Sequence, residues 1–147
     1  MPSIETTDWL AIKARLDGLV TVPEMSWFEP GALVTPPSDA SGPTPFILVS
    51  DIVNDPVRIG ISARGESGVD HIRSGTLLLT VQWPIARPVT HAQLREVAGQ
   101  IAAHFSADTR MSYGSSKLRV QQDATVVQPY VEGAYRVSIV RVSWRSV

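Results

Sequence analysis

The chemistry-bearing side chains of this 147-residue chain are few and far apart. Gly114-Ser-Ser116 sets serines beside a glycine, as an exposed nucleophile requires. The G-x-S-x-G frame and the strand-to-helix context of a nucleophile elbow are both missing, so these read as loop serines. His71, His91 and His104 are the only nitrogen donors of the imidazole type. His91 and His104 stand thirteen residues apart on one expected helix, about 20 Å by its rise, and cannot share an ion. Asp51 and Asp55 would suit acid–base work as a pair, yet Asn54-Asp55-Pro56 is ordinary turn chemistry. Gly65-Glu-Ser-Gly68 is followed neither by G-K-[ST] nor by a helix start, so it is no phosphate loop. Arg136, Arg141 and Arg145 share one expected strand without the stacked aromatics of an RNA-binding sheet. These patterns point to no catalytic residue, no cofactor and no metal site.

Bulk properties narrow the classes further. The length is that of a single domain, 1–147, able to bury one ordinary core. No run approaches the roughly 20 apolar residues of a membrane helix, and Met-Pro-Ser-Ile-Glu-Thr-Thr lacks the basic patch and apolar core of a secretory signal. Cysteine is absent, which removes disulfides and thiolate metal sites. A net charge of -1 argues against holding nucleic acid by bulk electrostatics. The charge is nevertheless bipolar: residues 1–71 balance at -6 and residues 72–147 at +5. Either the two halves neutralise each other within the fold, or an acidic patch of one copy meets a basic patch of the next.

The elements follow from periodicity. Trp9, Ile12 and Leu16 recur at helical spacing, predicting a short helix over 6–19 with Thr7 or Asp8 as its cap. Leu19 to Val22 reads as a brief strand. Six prolines between Pro23 and Pro45 forbid a continuous element there and predict a loop, in which Trp27 and Phe28 pin the chain to its own core or to a neighbour. Phe46–Ile52 and Val57–Ser62 flank Asn54-Asp55-Pro56 and predict a hairpin; a flexible polar loop follows at about 63–70. Ser74–Pro84, apolar on both faces, predicts a buried central strand. Thr90-His-Ala-Gln93 matches a capping box, and Leu94, Val97, Ala98, Ile101, Ala102 and Phe105 form one stripe, predicting a long amphipathic helix over about 90–106. Short strands around Leu118 and Val126 precede a closing strand, Ala134–Trp144. In that strand Tyr135, Val137 and Ile139 share one face and Val140, Val142 and Trp144 the other. Either a bulge joins them on one core face, or the sheet is covered on both faces, or the second set faces another subunit. The expected fold class is α+β, a mostly antiparallel sheet with both helices on one face. Candidate subunit-interface residues are Trp27, Phe28, Arg64, Glu66, Val140, Val142 and Trp144.

Three patterns together carry a resemblance: Arg73-Ser-Gly75 running into Thr76–Val81 and Pro84, the Ala-rich helix Leu94–Phe105, and the strand Ala134–Ile139. In this order they resemble the tail terminator and neck proteins of long-tailed bacteriophages and gene transfer agents. The resemblance implies a structural virion protein of the tail or neck, assembled in the host cytoplasm as a homo-oligomer, usually a hexameric ring. Such a ring caps the tail tube protein's polymer and offers a surface to the head-side connector or adaptor protein. DNA passes through its lumen without specific binding, and neither membrane nor cofactor takes part. Alternatives are a head-completion, adaptor or tail-tube subunit of the same kind of particle, and a non-viral small-molecule-binding domain with the Trp27-Phe28 loop as its lid.

Overall fold

The computed structural model describes residues 3–32, 35–51, 54–60 and 70–147. Helix α1 (Ile4–Asp17) opens on Ser3, whose hydroxyl accepts from the Thr6 amide, and closes at Gly18. Thr7 and Asp8, expected at the cap, instead lie buried within the helix. After the loop 19–25 come β1 (Ser26–Phe28) and a two-residue ladder, β2 (Ser38–Asp39) with β3 (Gly42–Pro43). β1 and this ladder are all the regular structure that the proline-rich segment forms among its described residues. Then follow β4 (Phe46–Asp51), β5 (Asp55–Gly60), β6 (Asp70–Pro84) and helix α2 (His91–His104). The chain ends with β7 (Arg110–Tyr113), β8 (Ser116–Val120), β9 (Thr125–Val126), β10 (Tyr130–Glu132) and β11 (Tyr135–Ser146).

One sheet of nine strands organises everything, in the order β1-β4-β6-β11-β8-β7, with β5 beside β6 and both β9 and β10 beside β11. The expected α+β arrangement needs correction on two counts. Strands dominate, and the curled sheet is mixed, because β1 runs parallel to β4. A parallel neighbour needs a long crossover, and the proline-rich segment supplies it by returning the chain to the same end of the sheet. The second correction concerns the helices. Each has 14 residues, so the segment 90–106 holds no long helix that outranks a short N-terminal one. Phe105 is already the C-cap, outside the helical backbone.

Among the described residues the hairpin expected around Asn54-Asp55-Pro56 is absent as well. β4 and β5 both pair antiparallel with β6, Asp51 opposite Leu77 and Asp55 opposite Ser74. They are successive stretches on one side of β6, with the register moved by one residue between them. β6 is central as expected, flanked by β4 and β11. At about 3.3 Å per residue its 15 residues span roughly 50 Å.

Alternation sorts the sheet into two faces. Ile47, Val49, Leu77, Leu79, Val81, Val140, Val142 and Trp144 join Ala11, Ile12 and Leu16 of α1 and Leu94, Val97, Ala98 and Ile101 of α2 in one buried cluster. Both helices therefore cover the same face. The pairing of β11 with β6 runs without a shift from Tyr135 opposite Pro84 to Arg145 opposite Ser74. No bulge separates Ile139 from Val140: the strand feeds the helix side with one set of residues and the far side with the other.

Candidate assembly surface

The catalytic patterns weighed above do not converge. Ser116 is buried, and its hydroxyl shares a 2.6 Å hydrogen bond with that of Thr7. His91 is exposed in the first turn of α2, while His104 bonds the Arg15 carbonyl through Nε2 at 2.7 Å. Arg15 answers through Nε and Nη2 to the His104 carbonyl, so the two helix ends are tied reciprocally. Burial, the larger influence, and the nearby Arg15 charge hold His104 below its ordinary 6.5, against the opposing backbone bond. Among the described residues no three His, Cys, Asp or Glu side chains group to hold a metal ion.

The buried polar cluster among the described residues is structural. Asp8, 1% exposed, receives Arg73 Nε at 2.6 Å on one carboxylate oxygen and Arg73 Nη2 at 3.1 Å on the other. Asn54 donates to it at 2.9 Å, and the Arg73 amide donates to Ser146 Oγ at 2.9 Å. Burial pushes the Asp8 carboxyl up, but hydrogen bonds from Arg73, Asn54 and Ser116 and the guanidinium charge outweigh it and hold the acid below 3.8. This knot fixes α1 to the far stretch of β6. Arg73 stood in the sequence as part of a family pattern; its partner could not be read there, because 65 residues separate the two.

The face turned away from the helices is only partly covered. Phe28 lies opposite Leu48, Leu48 opposite Thr80, and Thr80 opposite Ile139, one row across four strands. Cross-strand partners share a face, and Phe28, Leu48, Leu78 and Ile139 are all only half-buried. At the next row Phe46 stacks edge-on between Phe28 and Tyr135, centroids 5.9 Å apart on each side. The aromatic contacts stiffen this end of the face.

The interface candidates fare unequally. Phe28 belongs to this open face. Trp27, its neighbour, points the other way and packs against the core. Val140, Val142 and Trp144 are wholly buried beneath the helices, and that burial disagrees with a place at a subunit contact. Arg64 and Glu66, with nearly all of the loop 63–70, lie outside the described residues. Exposed apolar side chains appear instead where nothing singled them out: Val20, Val22, Ile85, Tyr130 and Val131. A strand-like pattern such as Leu19–Val22 tells which residues alternate, not which set turns outward.

Comparison with known proteins bears on fold and family. A solved structure sharing 20% sequence identity superposes with a TM-score of 0.62 over 93% of this chain and 94% of its own, a likeness of fold. No curated protein matches the chain. The family description "Phage tail terminator protein" matches residues 9–144, nearly the whole length. From α1 to the closing strand, then, this chain belongs to the phage tail terminator family, and its role is a structural one in the tail or neck of a phage particle.

Proposed function

We propose that the chain is the subunit of a ring that closes the end of the tail tube and presents a surface to the head-side connector. The observation that carries this reading is the row Phe28-Leu48-Thr80-Ile139 on the open sheet face. Half-buried Phe28, Leu48 and Ile139 of that row, with Leu78 beside Thr80 on β6, make a largely apolar surface, the kind that marks an interaction site. Covering it recovers about 25 cal/mol per Å² of apolar area, which a ring seated on a tube provides. The only described charge beside that row is Arg141, opposite Leu78. A ring of such subunits passes DNA without gripping it, since phosphate binding needs many cations.

The test is location on purified tail tubes. Labelled protein imaged by electron microscopy should decorate one end of each tube, as a closed ring, and block further elongation by tube subunits. Decoration along the whole length would make it a tube component, and binding only to head portals an adaptor. A chain that stays monomeric and ignores tubes would overturn the reading.

A further inference from the structure

The loop after α1 shows an inverted pattern. Thr21 is 3% exposed, while its neighbours Val20 and Val22 are 76% and 73% exposed. A loop free to choose would turn the valines inward, because burying each side chain gains roughly 1.5–3 kcal/mol. Here the reverse is held in place. Thr21 Oγ1 donates to the Pro23 carbonyl at 2.9 Å, and the Val22 amide donates to Gln100 Oε1 of α2 at 2.8 Å. The hydroxyl is satisfied inside, the backbone is tied to a helix, and two branched aliphatic groups are presented to the outside as a knob.

A matching concavity lies on the opposite flank of the same helix. At about 100° per residue, Gln93, Glu96 and Gln100 face the knob's side of α2, whereas His91 falls beyond Leu94 on the other side. There His91 and Leu94 wall a cavity of about 280 Å³, closed by Val89, Pro129, Val131 and Arg136. Val131 sits opposite Arg136 in the β10–β11 ladder, so both face the helix side; Glu132, opposite Tyr135, faces away. The charges are complementary. Asp17 and Glu24, both exposed, bracket the knob, and Arg136 lines the cavity with no salt bridge among the described residues.

We propose that the Val20–Val22 knob of one copy seats in the cavity between α2 and β10 of the next. This rests on the self-assembly reading above and names its contact. Knob and cavity occupy different parts of the surface, so the contact is heterologous: every copy offers one of each, and the chain of contacts closes into a ring when the rotation permits. The Asp17/Glu24 and Arg136 pairing sets the orientation more than the affinity.

Val22→Asp removes the knob and Val131→Asp the cavity wall; both residues are already exposed, and Val20→Asp is a second knob variant. Particle size is measured by sedimentation for the unmodified chain, each variant and a 1:1 mixture, free and with tail tubes present. Each variant alone should lose self-association at least tenfold. The mixture should form a dimer and stop, since only one intact knob and one intact cavity remain to meet. Variants that assemble like the unmodified chain, or a mixture that stays monomeric, overturn this contact alone. An unmodified chain that never self-associates, even on tubes, overturns the ring reading together with it.

Discussion

Asp8 shows how one residue can hold a fold and report on it. A carboxylate this buried is costly unless paired, and its bidentate bond to Arg73 with help from Asn54 offsets that cost. Asp8→Ala leaves the guanidinium without its partner and should destabilise by about 2–4 kcal/mol, whereas Asp8→Leu with Arg73→Met recovers part of the loss. Acid has the same target. Because the folded pKa of Asp8 lies below 3.8, its contribution is present above that pH and is lost as pH falls through the folded value. His104 also has a lowered folded value, so it adds an earlier loss as pH falls below 6.5, when the unfolded chain takes up a proton that the folded one resists. Denaturant unfolding followed from pH 8 to 3 should show two declines, the upper one removed in His104→Gln and the lower one in Asp8→Asn.

At the scale of elements, the closing strand gives the sharpest check. Trp144 is wholly buried, and its Nε1 finds no hydrogen-bond partner among the described residues. Trp144→Ala should therefore unfold or strongly destabilise the chain, by about 3–5 kcal/mol, while Trp144→Phe loses far less because no indole hydrogen bond is broken. Thermal melts of the two variants distinguish this from a contact role, in which Trp144→Ala would stay folded. The same strand explains what could be read beforehand. The two sets Tyr135-Val137-Ile139 and Val140-Val142-Trp144 were visible as alternation, but which set meets the helices depends on pairing with β6. Capping chemistry is local, so Thr90 and Gln93 announced α2, and both capping bonds are present. Asn54-Asp55-Pro56 misled for the opposite reason: turn residues also serve where a strand is interrupted, and only the long-range ladder to β6 decides between the two. The parallel β1 was illegible because a crossover built from prolines carries no helical or alternating signal.

The whole molecule is a sheet with one face packed under the helices, and on the proposed reading the other meets partners; paired substitutions on adjacent residues of β6 separate the two duties. Leu79 is fully buried under the helices, and Leu78 beside it is half-buried on the open face. Leu79→Ser removes apolar contacts from a closed core and should cost about 2–5 kcal/mol, enough to unfold a chain of this size. Leu78→Ser gives up only part of a side chain's burial and leaves no closed cavity, so its cost should be smaller, about 1–2 kcal/mol. If the open face is covered in the assembled tail, that mild variant should nevertheless lose most of its occupancy of tube ends, because each copy in a ring carries the same defect. Binding to tubes at graded protein concentration, read beside the melting temperature of each variant, gives both numbers. Normal capping by a folded Leu78→Ser chain would mean that the open face does not meet the tube, and the apolar row across β1, β4, β6 and β11 would need another partner.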